Sequence, residues 1–76
     1  MLFSERVKNL RKERNLKQSD IAEPLGVTVT WLSDIERGRR TTTLEKAVEL
    51  AEFFGVSLDY LVGRTDFPEV NKGDST

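Results

Sequence analysis

The chain is 76 residues long, which is enough for one small domain but not for two. It contains no cysteine and no histidine, which excludes disulfides, thiolate metal sites and catalysis by a Ser-His or Cys-His pair, so we expect no enzyme, metal or cofactor. The net charge is −1, and no apolar run approaches the roughly 20 residues of a membrane helix, so we expect a cytoplasmic protein that does not bind membranes.

Charge is distributed unevenly along the chain. Residues 1–17 hold six Lys or Arg and two Glu, a balance of +4, whereas residues 41–63 hold one Lys and four acidic residues, a balance of −3. This asymmetry would orient the domain on a polyanion, with the N-terminal part facing the phosphates. The distribution therefore favours a nucleic-acid partner, although the total charge argues mildly against one.

A first amphipathic helix is indicated near the N-terminus by apolar residues at helical spacing, namely Phe3, Val7 and Leu10. We predict that it runs from about Ser4 to Arg14, with Ser4 as its N-cap. Its polar face is basic and is interpreted as mainly solvated at three positions, Arg6, Lys8 and Lys12. Arg14 and Lys17 lie next to the start of the second helix and are predicted to contact phosphates.

Two short helices joined by a tight turn are predicted between residues 18 and 38. The first has a narrow apolar stripe at Ile21, Ala22 and Leu25, and the second has one at Leu32 and Ile35. Gly26 can adopt positive φ at the end of the first of these helices, and the hydroxyl of Thr28 can cap the second. The spacing predicts a helix-turn-helix.

The outward face of the third helix follows from a rotation of about 100° per residue. With Leu32 and Ile35 turned inward, small polar residues point outward between two flanks, and this set comprises Thr30, Ser33, Asp34 and Arg37, flanked by Val29 and Trp31. Short side chains permit close approach to a groove, and hydroxyls and carboxylates form directional hydrogen bonds to base edges. The face is therefore predicted to bind in the major groove.

The loop that follows, residues 37–43, contains three arginines and three threonines, with Gly38 suited to end the third helix. Arginines fork onto phosphate oxygens, and hydroxyls and free N–H groups add neutral donors. We predict phosphate contacts from Arg37, Arg39, Arg40 and Thr42. A solvated basic loop is the alternative.

The C-terminal part of the chain is predicted to form two more helices and a tail. The fourth helix would begin at Thr42 or Thr43 and end at Gly55, with an apolar face of Leu44, Ala47, Val48, Ala51 and Phe54. Ser57 would cap a short fifth helix ending at Gly63. Exposed residues among Phe53, Tyr60 and Val62 would form a self-association patch. The predicted domain covers residues 1–63, and residues 64–76 are expected to be a mobile tail.

A family resemblance is carried by residues 25–28, Leu-Gly-Val-Thr, and by residues 31–40, Trp-Leu-Ser-Asp-Ile-Glu-Arg-Gly-Arg-Arg. These runs resemble the lambda-repressor-like, Cro-type helix-turn-helix family of bacterial and phage regulators, from about Val7 to Gly63. The resemblance implies an all-α fold, a compact five-helix bundle in which helices 2 and 3 form the helix-turn-helix.

The resemblance also implies roles for individual residues. Positions that read base edges are matched by Val29, Thr30 and Asp34, with Ser33 beside them, and backbone-contacting positions by Gln18, Thr28 and Trp31. Arg11 and Glu36 match a structural ion pair that locks helix 1 to helix 3. Trp31 is alternatively a core-edge aromatic, and Gln18 a solvated residue. Asp34 is repelled by phosphates unless it meets a cytosine or a neighbouring arginine.

These observations lead to a functional hypothesis. We expect a sequence-specific double-stranded DNA-binding transcriptional regulator, a repressor of phage, prophage or mobile-element type. As a homodimer it would bind an approximately palindromic operator, with half-sites about 34 Å apart or a multiple of that. The alternative is a protein-interaction module on the same fold, of antitoxin or anti-repressor type, that acts through helix 5 and the tail. No small-molecule ligand is evident.

Overall fold

The computed structural model describes residues 2–69, and they form five α-helices. These are α1 (Leu2–Glu13), α2 (Gln18–Leu25), α3 (Val29–Glu36), α4 (Leu44–Phe54) and α5 (Leu58–Leu61). Because this part of the chain contains no strand, the predicted all-α, five-helix architecture is confirmed. None of the helices between residues 2 and 69 combines the length and apolarity needed to cross a bilayer.

The core lies between all five helices. α3 packs against α1 and α2, while α4 contacts α2 and α5, and α5 also contacts α1. The large side chains that are fully buried come from every helix, and they are Val7, Ile21, Leu32, Ile35, Leu50, Phe54 and Leu61. α3 buries only Leu32 and Ile35, so most of its surface is left for other contacts.

The turn between α2 and α3 is closed at both ends by local hydrogen bonds. Gly26 has a φ of +70°, and the N–H of Val27 donates to the carbonyl of Ala22 at 3.0 Å, which is the Schellman pattern. The hydroxyl of Thr28 then accepts from the N–H of Trp31 at 3.0 Å. The predicted roles of Gly26 and Thr28 are therefore confirmed, and together they fix how α3 leaves α2.

The predicted start of α1 is wrong. α1 begins at Leu2, so Ser4 lies within the helix and is not its N-cap. Ser4 is 4% exposed, and its hydroxyl has no hydrogen-bond partner among the described residues. The Ser4 hydroxyl lies against the loop after α3, as a Cβ added to Gly38 would be 3.5 Å from the Ser4 Oγ.

The structure decides between the two predicted N-caps of α4. Of the two candidates, Thr43 is the N-cap, since its Oγ1 accepts from the N–H of Lys46 at 3.2 Å. Leu44 is therefore the first helical residue, and it is 71% exposed, so its predicted place in the core is wrong. Leu50 occupies the buried face instead. The predicted cap of α5 is confirmed, because Ser57 accepts from Tyr60 at 3.0 Å.

Arg6 joins α1 to α5 and to the segment after it. Its guanidinium donates to the carbonyls of Tyr60 and Thr65, both at 2.6 Å, and pairs with Asp66 at 3.0 Å. It also stacks over the Tyr60 ring at 4.0 Å. The interpretation of Arg6 as solvated is wrong, because residues after α5 cover this face of α1 and leave 13% of the side chain exposed.

Residues 64–69 fold back onto the helices. The N–H of Ser57 donates to the carbonyl of Pro68 at 2.9 Å, and the N–H of Arg64 donates to the carbonyl of Asp59 at 2.7 Å. Residues 64–69 therefore contact the helical domain, and the mobility of the tail stays a prediction. The remaining tail residues, 70–76, lie outside the described part of the chain.

Replacing Arg6 with methionine should lower the free energy of unfolding by roughly 2 kcal/mol, because two partly buried carbonyls lose charge-assisted donors. Urea denaturation monitored by circular dichroism measures the change. The matched control is Lys8→Met on the same helix, since Lys8 is exposed. An Arg6→Met loss no larger than that of Lys8→Met would contradict a structural role for Arg6.

Candidate nucleic-acid interface

The outward face of α3 is small and polar, and none of its side chains is buried. Thr30 is exposed, Val29 is 45% exposed, and Ser33 and Asp34 are half-buried. Thr30, Ser33 and Asp34 lie on the side of α3 opposite Leu32 and Ile35, and Val29 lies on its flank, as the helical rotation predicts. Their assignment to base edges stays a prediction, but the side chains are accessible for it.

A bidentate ion pair locks α3 to α1. Arg11 donates from Nε to Glu36 Oε2 at 2.6 Å and from Nη2 to Oε1 at 2.9 Å. Only 4% of the Glu36 side chain and 15% of the Arg11 side chain are exposed. The hydrogen bond to Glu36 raises the pKa of Arg11, against the opposing effect of burial. Arg11 and Glu36 are the two residues that the resemblance pairs.

The start of α2 is tied to the same pair. Gln18 Nε2 donates to Glu36 Oε1 at 3.2 Å, and Arg11 Nη1 donates to the carbonyl of Leu16 at 3.0 Å. Glu36 thereby accepts from both preceding helices, and the outward face of α3 is held in a fixed orientation. Gln18 is not simply solvated, because its amide braces α3 as well as facing the surface.

A basic hollow of about 260 Å³ adjoins the ion pair, and its lining comprises Lys8, Arg11, Lys12, Gln18, Ser33, Glu36 and Arg37. Glu36 is matched by Arg11, whereas Lys8, Lys12 and Arg37 form no ion pair among residues 2–69. The hollow therefore carries an excess of positive charge and suits an anion.

Lys8 and Lys12 are residues whose position sequence reasoning missed. Both are exposed, as predicted for a solvated face, but they also line the hollow beside α3. The signal that can locate them is their spacing on α1: Lys8 is three residues before Arg11 and four before Lys12, so it neighbours both, and the pair with Glu36 turns Arg11 toward α3.

The loop after α3 folds back along the helix. Gly38 has a φ of +73°, and the N–H of Arg39 donates to the carbonyl of Asp34 at 2.8 Å, so the predicted helix end at Gly38 is confirmed. This turn brings Arg40 Nε to 4.0 Å from Asp34 Oδ2. Arg37, Arg39 and Arg40 are all exposed, and Thr42 is half-buried.

Two members of the predicted phosphate-contacting set are engaged in packing. Arg14 Nη2 donates to the carbonyl of Phe54 at 2.6 Å, and its guanidinium carbon lies 5.2 Å from the Phe54 ring. Its charge lies at the C-terminal end of α4, so we do not carry its predicted phosphate contact into the interface proposed below. Trp31 is half-buried against the core, which favours its structural alternative.

Lys17 and Asp20 define the start of α2. Lys17 is the N-cap residue but its side chain forms no cap hydrogen bond, and the Asp20 carboxylate accepts from the Lys17 N–H at 2.8 Å. The exposed ammonium of Lys17 is therefore not used in capping and stays in the predicted phosphate-contacting set.

Comparison with known proteins identifies the family. A helix-turn-helix family model matches residues 7–61, which include all of α2 and α3. The chain belongs to the helix-turn-helix family. The resemblance carried by residues 25–28 and 31–40 is thus confirmed, and with it the lambda-repressor-like fold.

Two relatives illustrate the family. The HTH-type transcriptional regulator DdrOP3 of Deinococcus deserti is 39% identical over 88% of this helix-turn-helix chain, which spans 52% of that protein. The cryptic phage CTXphi transcriptional repressor RstR of Vibrio cholerae is 34% identical over 86% of the chain, which spans 59% of that protein. The chain thus spans little more than half the length of these curated relatives.

A solved structure shares the fold. The P22 c2 repressor, crystallised in complex with a synthetic operator, superposes with a TM-score of 0.75 at 28% sequence identity. The match covers 80% of this helix-turn-helix chain and 92% of the P22 chain.

Proposed function

We propose that this chain binds double-stranded DNA sequence-specifically as a transcriptional repressor of phage or prophage type. The observation that carries the proposal is the exposed polar face of α3, which adjoins the basic hollow at Ser33 and Arg40 of the following loop at Asp34. Small side chains between two positive surfaces fit the major groove between two phosphate backbones. The repressor relatives and the operator-bound neighbour support it.

In the proposed complex, α3 enters the major groove, and different residues contact the bases and the phosphates. Base edges are contacted by Val29, Thr30, Ser33 and Asp34. Phosphates are contacted from both sides of the groove by Lys17, Gln18, Thr28, Arg37, Arg39, Arg40 and Thr42, together with Lys8 and Lys12. Thr28 suits this role because its hydroxyl oxygen accepts from Trp31 and its own hydrogen is available to donate.

We propose a homodimer in the cytoplasm on an approximately palindromic operator, with half-sites about 34 Å apart or a multiple of that. Leu2 is 42% exposed and Val62 is 40% exposed. Leu2 packs against Gly63, since a Cβ added to Gly63 would lie 2.5 Å from Leu2 Cδ2. Val62 directly precedes Gly63, so both exposed apolar side chains, Leu2 and Val62, adjoin this glycine. Of the predicted patch only Val62 is exposed, because Phe53 and Tyr60 are half-buried.

The test is a titration of the intact chain against duplex DNA from the promoter of its own gene. At about 50 mM salt we expect saturable binding, about 10³-fold tighter than to a scrambled duplex. Thr30→Ala should weaken specific binding about tenfold by removing a base contact. Glu52→Ala, at an exposed position of α4, is the control. No binding at low salt would refute the proposal.

A further inference from the structure

Asp34 is the carboxylate that α3 presents on its outward face. The other acidic residue of α3, Glu36, is enclosed by Arg11 and Gln18. Asp34 keeps 28% of its side chain exposed. A carboxylate carried into the major groove is repelled by phosphates on both sides, so it weakens binding to every sequence that does not offer it a donor.

Arg40 is placed against Asp34 by the fold of the loop. The N–H of Arg39 binds the carbonyl of Asp34 at 2.8 Å, and this backbone bond returns the loop to the last turn of α3. The guanidinium of Arg40 then lies 4.0 Å from the Asp34 carboxylate, with 47% of the Arg40 side chain exposed. Both side chains are exposed enough for the Asp34 carboxylate to accept a hydrogen bond from a base while the positive charge of Arg40 offsets its negative charge.

We infer that Asp34 selects a cytosine in the operator and that Arg40 is the positioning residue that makes this selection possible, an inference that rests on the proposed function. Cytosine presents the N4 donor in the major groove without an acceptor of its own, whereas adenine, guanine and thymine all present acceptors that repel a carboxylate. The positive charge of Arg40, 4.0 Å away, lowers the repulsion between the Asp34 carboxylate and the phosphates, and the guanidinium can also donate to a phosphate oxygen.

Four proteins test the inference: the wild type, Asp34→Asn, Arg40→Gln and the double variant. Bound duplexes are first selected from a randomised pool with the wild type. Dissociation constants are then measured on the selected operator and on versions with each other base pair at every position. Arg39→Gln is the matched control, because Arg39 lies in the same loop, is exposed and forms no ion pair among residues 2–69. Circular dichroism establishes that each variant is folded.

The wild type should lose about tenfold or more in affinity when one particular cytosine is replaced, and Asp34→Asn should lose that preference while binding other sequences more tightly. Arg40→Gln should weaken operator binding several-fold more in the wild type than in the Asp34→Asn background. Arg39→Gln should weaken binding equally in both backgrounds.

Two results would overturn the inference alone: an Arg40→Gln effect of equal size in both backgrounds, or a cytosine preference that survives Asp34→Asn. A wild-type protein that binds no duplex in the pool would instead overturn the proposed function, and this inference with it.

Discussion

Arg11→Met should lower the free energy of unfolding by about 3 kcal/mol. The substitution keeps an apolar stem of similar length but removes both donors to Glu36, whose side chain is 4% exposed. Gln18 alone, at 3.2 Å, then faces a buried carboxylate. The loss arises from this unpaired charge rather than from the strength of the pair itself. Urea denaturation at neutral pH measures it.

The double variant Arg11→Met with Glu36→Leu separates these two causes. Removing both charges leaves no buried carboxylate, so we expect the double variant to regain most of the stability that Arg11→Met loses. Lys12→Met, at the neighbouring exposed position, should change stability by less than about 0.5 kcal/mol. If the double variant were as unstable as the sum of its single variants, the unpaired carboxylate would not be the cause.

The raised pKa of Arg11 predicts the pH dependence of this contribution. Because the hydrogen bond to Glu36 raises the pKa of Arg11 above its unfolded value, the guanidinium stabilises the fold fully below the unfolded pKa and loses its effect only as pH rises through the folded pKa. Across the neutral range the stability difference between the wild type and Arg11→Met should therefore not depend on titration of Arg11.

The helix-turn-helix itself could be predicted from sequence because local chemistry determines it. Gly26, Gly38, Thr28 and Ser57 occupy the predicted ends and caps of helices, and each acts on backbone groups within five residues. The inward stripe of α3 follows equally from helical rotation. Such signals do not depend on the rest of the fold.

The arginine contacts that sequence reasoning missed join residues far apart in the sequence. Arg6 binds carbonyls 54 and 59 residues away, and Arg14 binds one 40 residues away. An arginine on a polar helix face can donate its hydrogen bonds to water or to backbone carbonyls at a distant helix end. The periodicity of the sequence is the same in both cases, so it does not show which partner the arginine has. Leu44 shows the converse. Its spacing places it on the same face as Ala47 and Ala51, which are buried, but it is the first residue of α4 and is 71% exposed, so periodicity does not show where along a helix the core ends.

DNA binding should fall steeply with salt, and this is the largest change in affinity that we expect. A dimer that neutralises about six to ten phosphates should lose about 10³- to 10⁵-fold in affinity between about 50 and 200 mM salt. The net charge of −1 does not weaken this expectation, because the positive charge is concentrated around α3. Fluorescence anisotropy on a labelled operator at several salt concentrations gives the slope of log affinity against log salt.

The slope also tests the residues that line the basic hollow. Lys12→Gln should make it shallower by about 2 in a dimer, since each protomer loses one phosphate contact. Arg64→Gln is the control, because Arg64 has 78% of its side chain exposed and follows α5, away from the lining of the hollow. Both substitutions remove one positive charge per protomer, so a general effect of net charge would change the two slopes equally. A contact within the hollow changes only that of Lys12→Gln, and equal slopes would remove the hollow from the proposed interface.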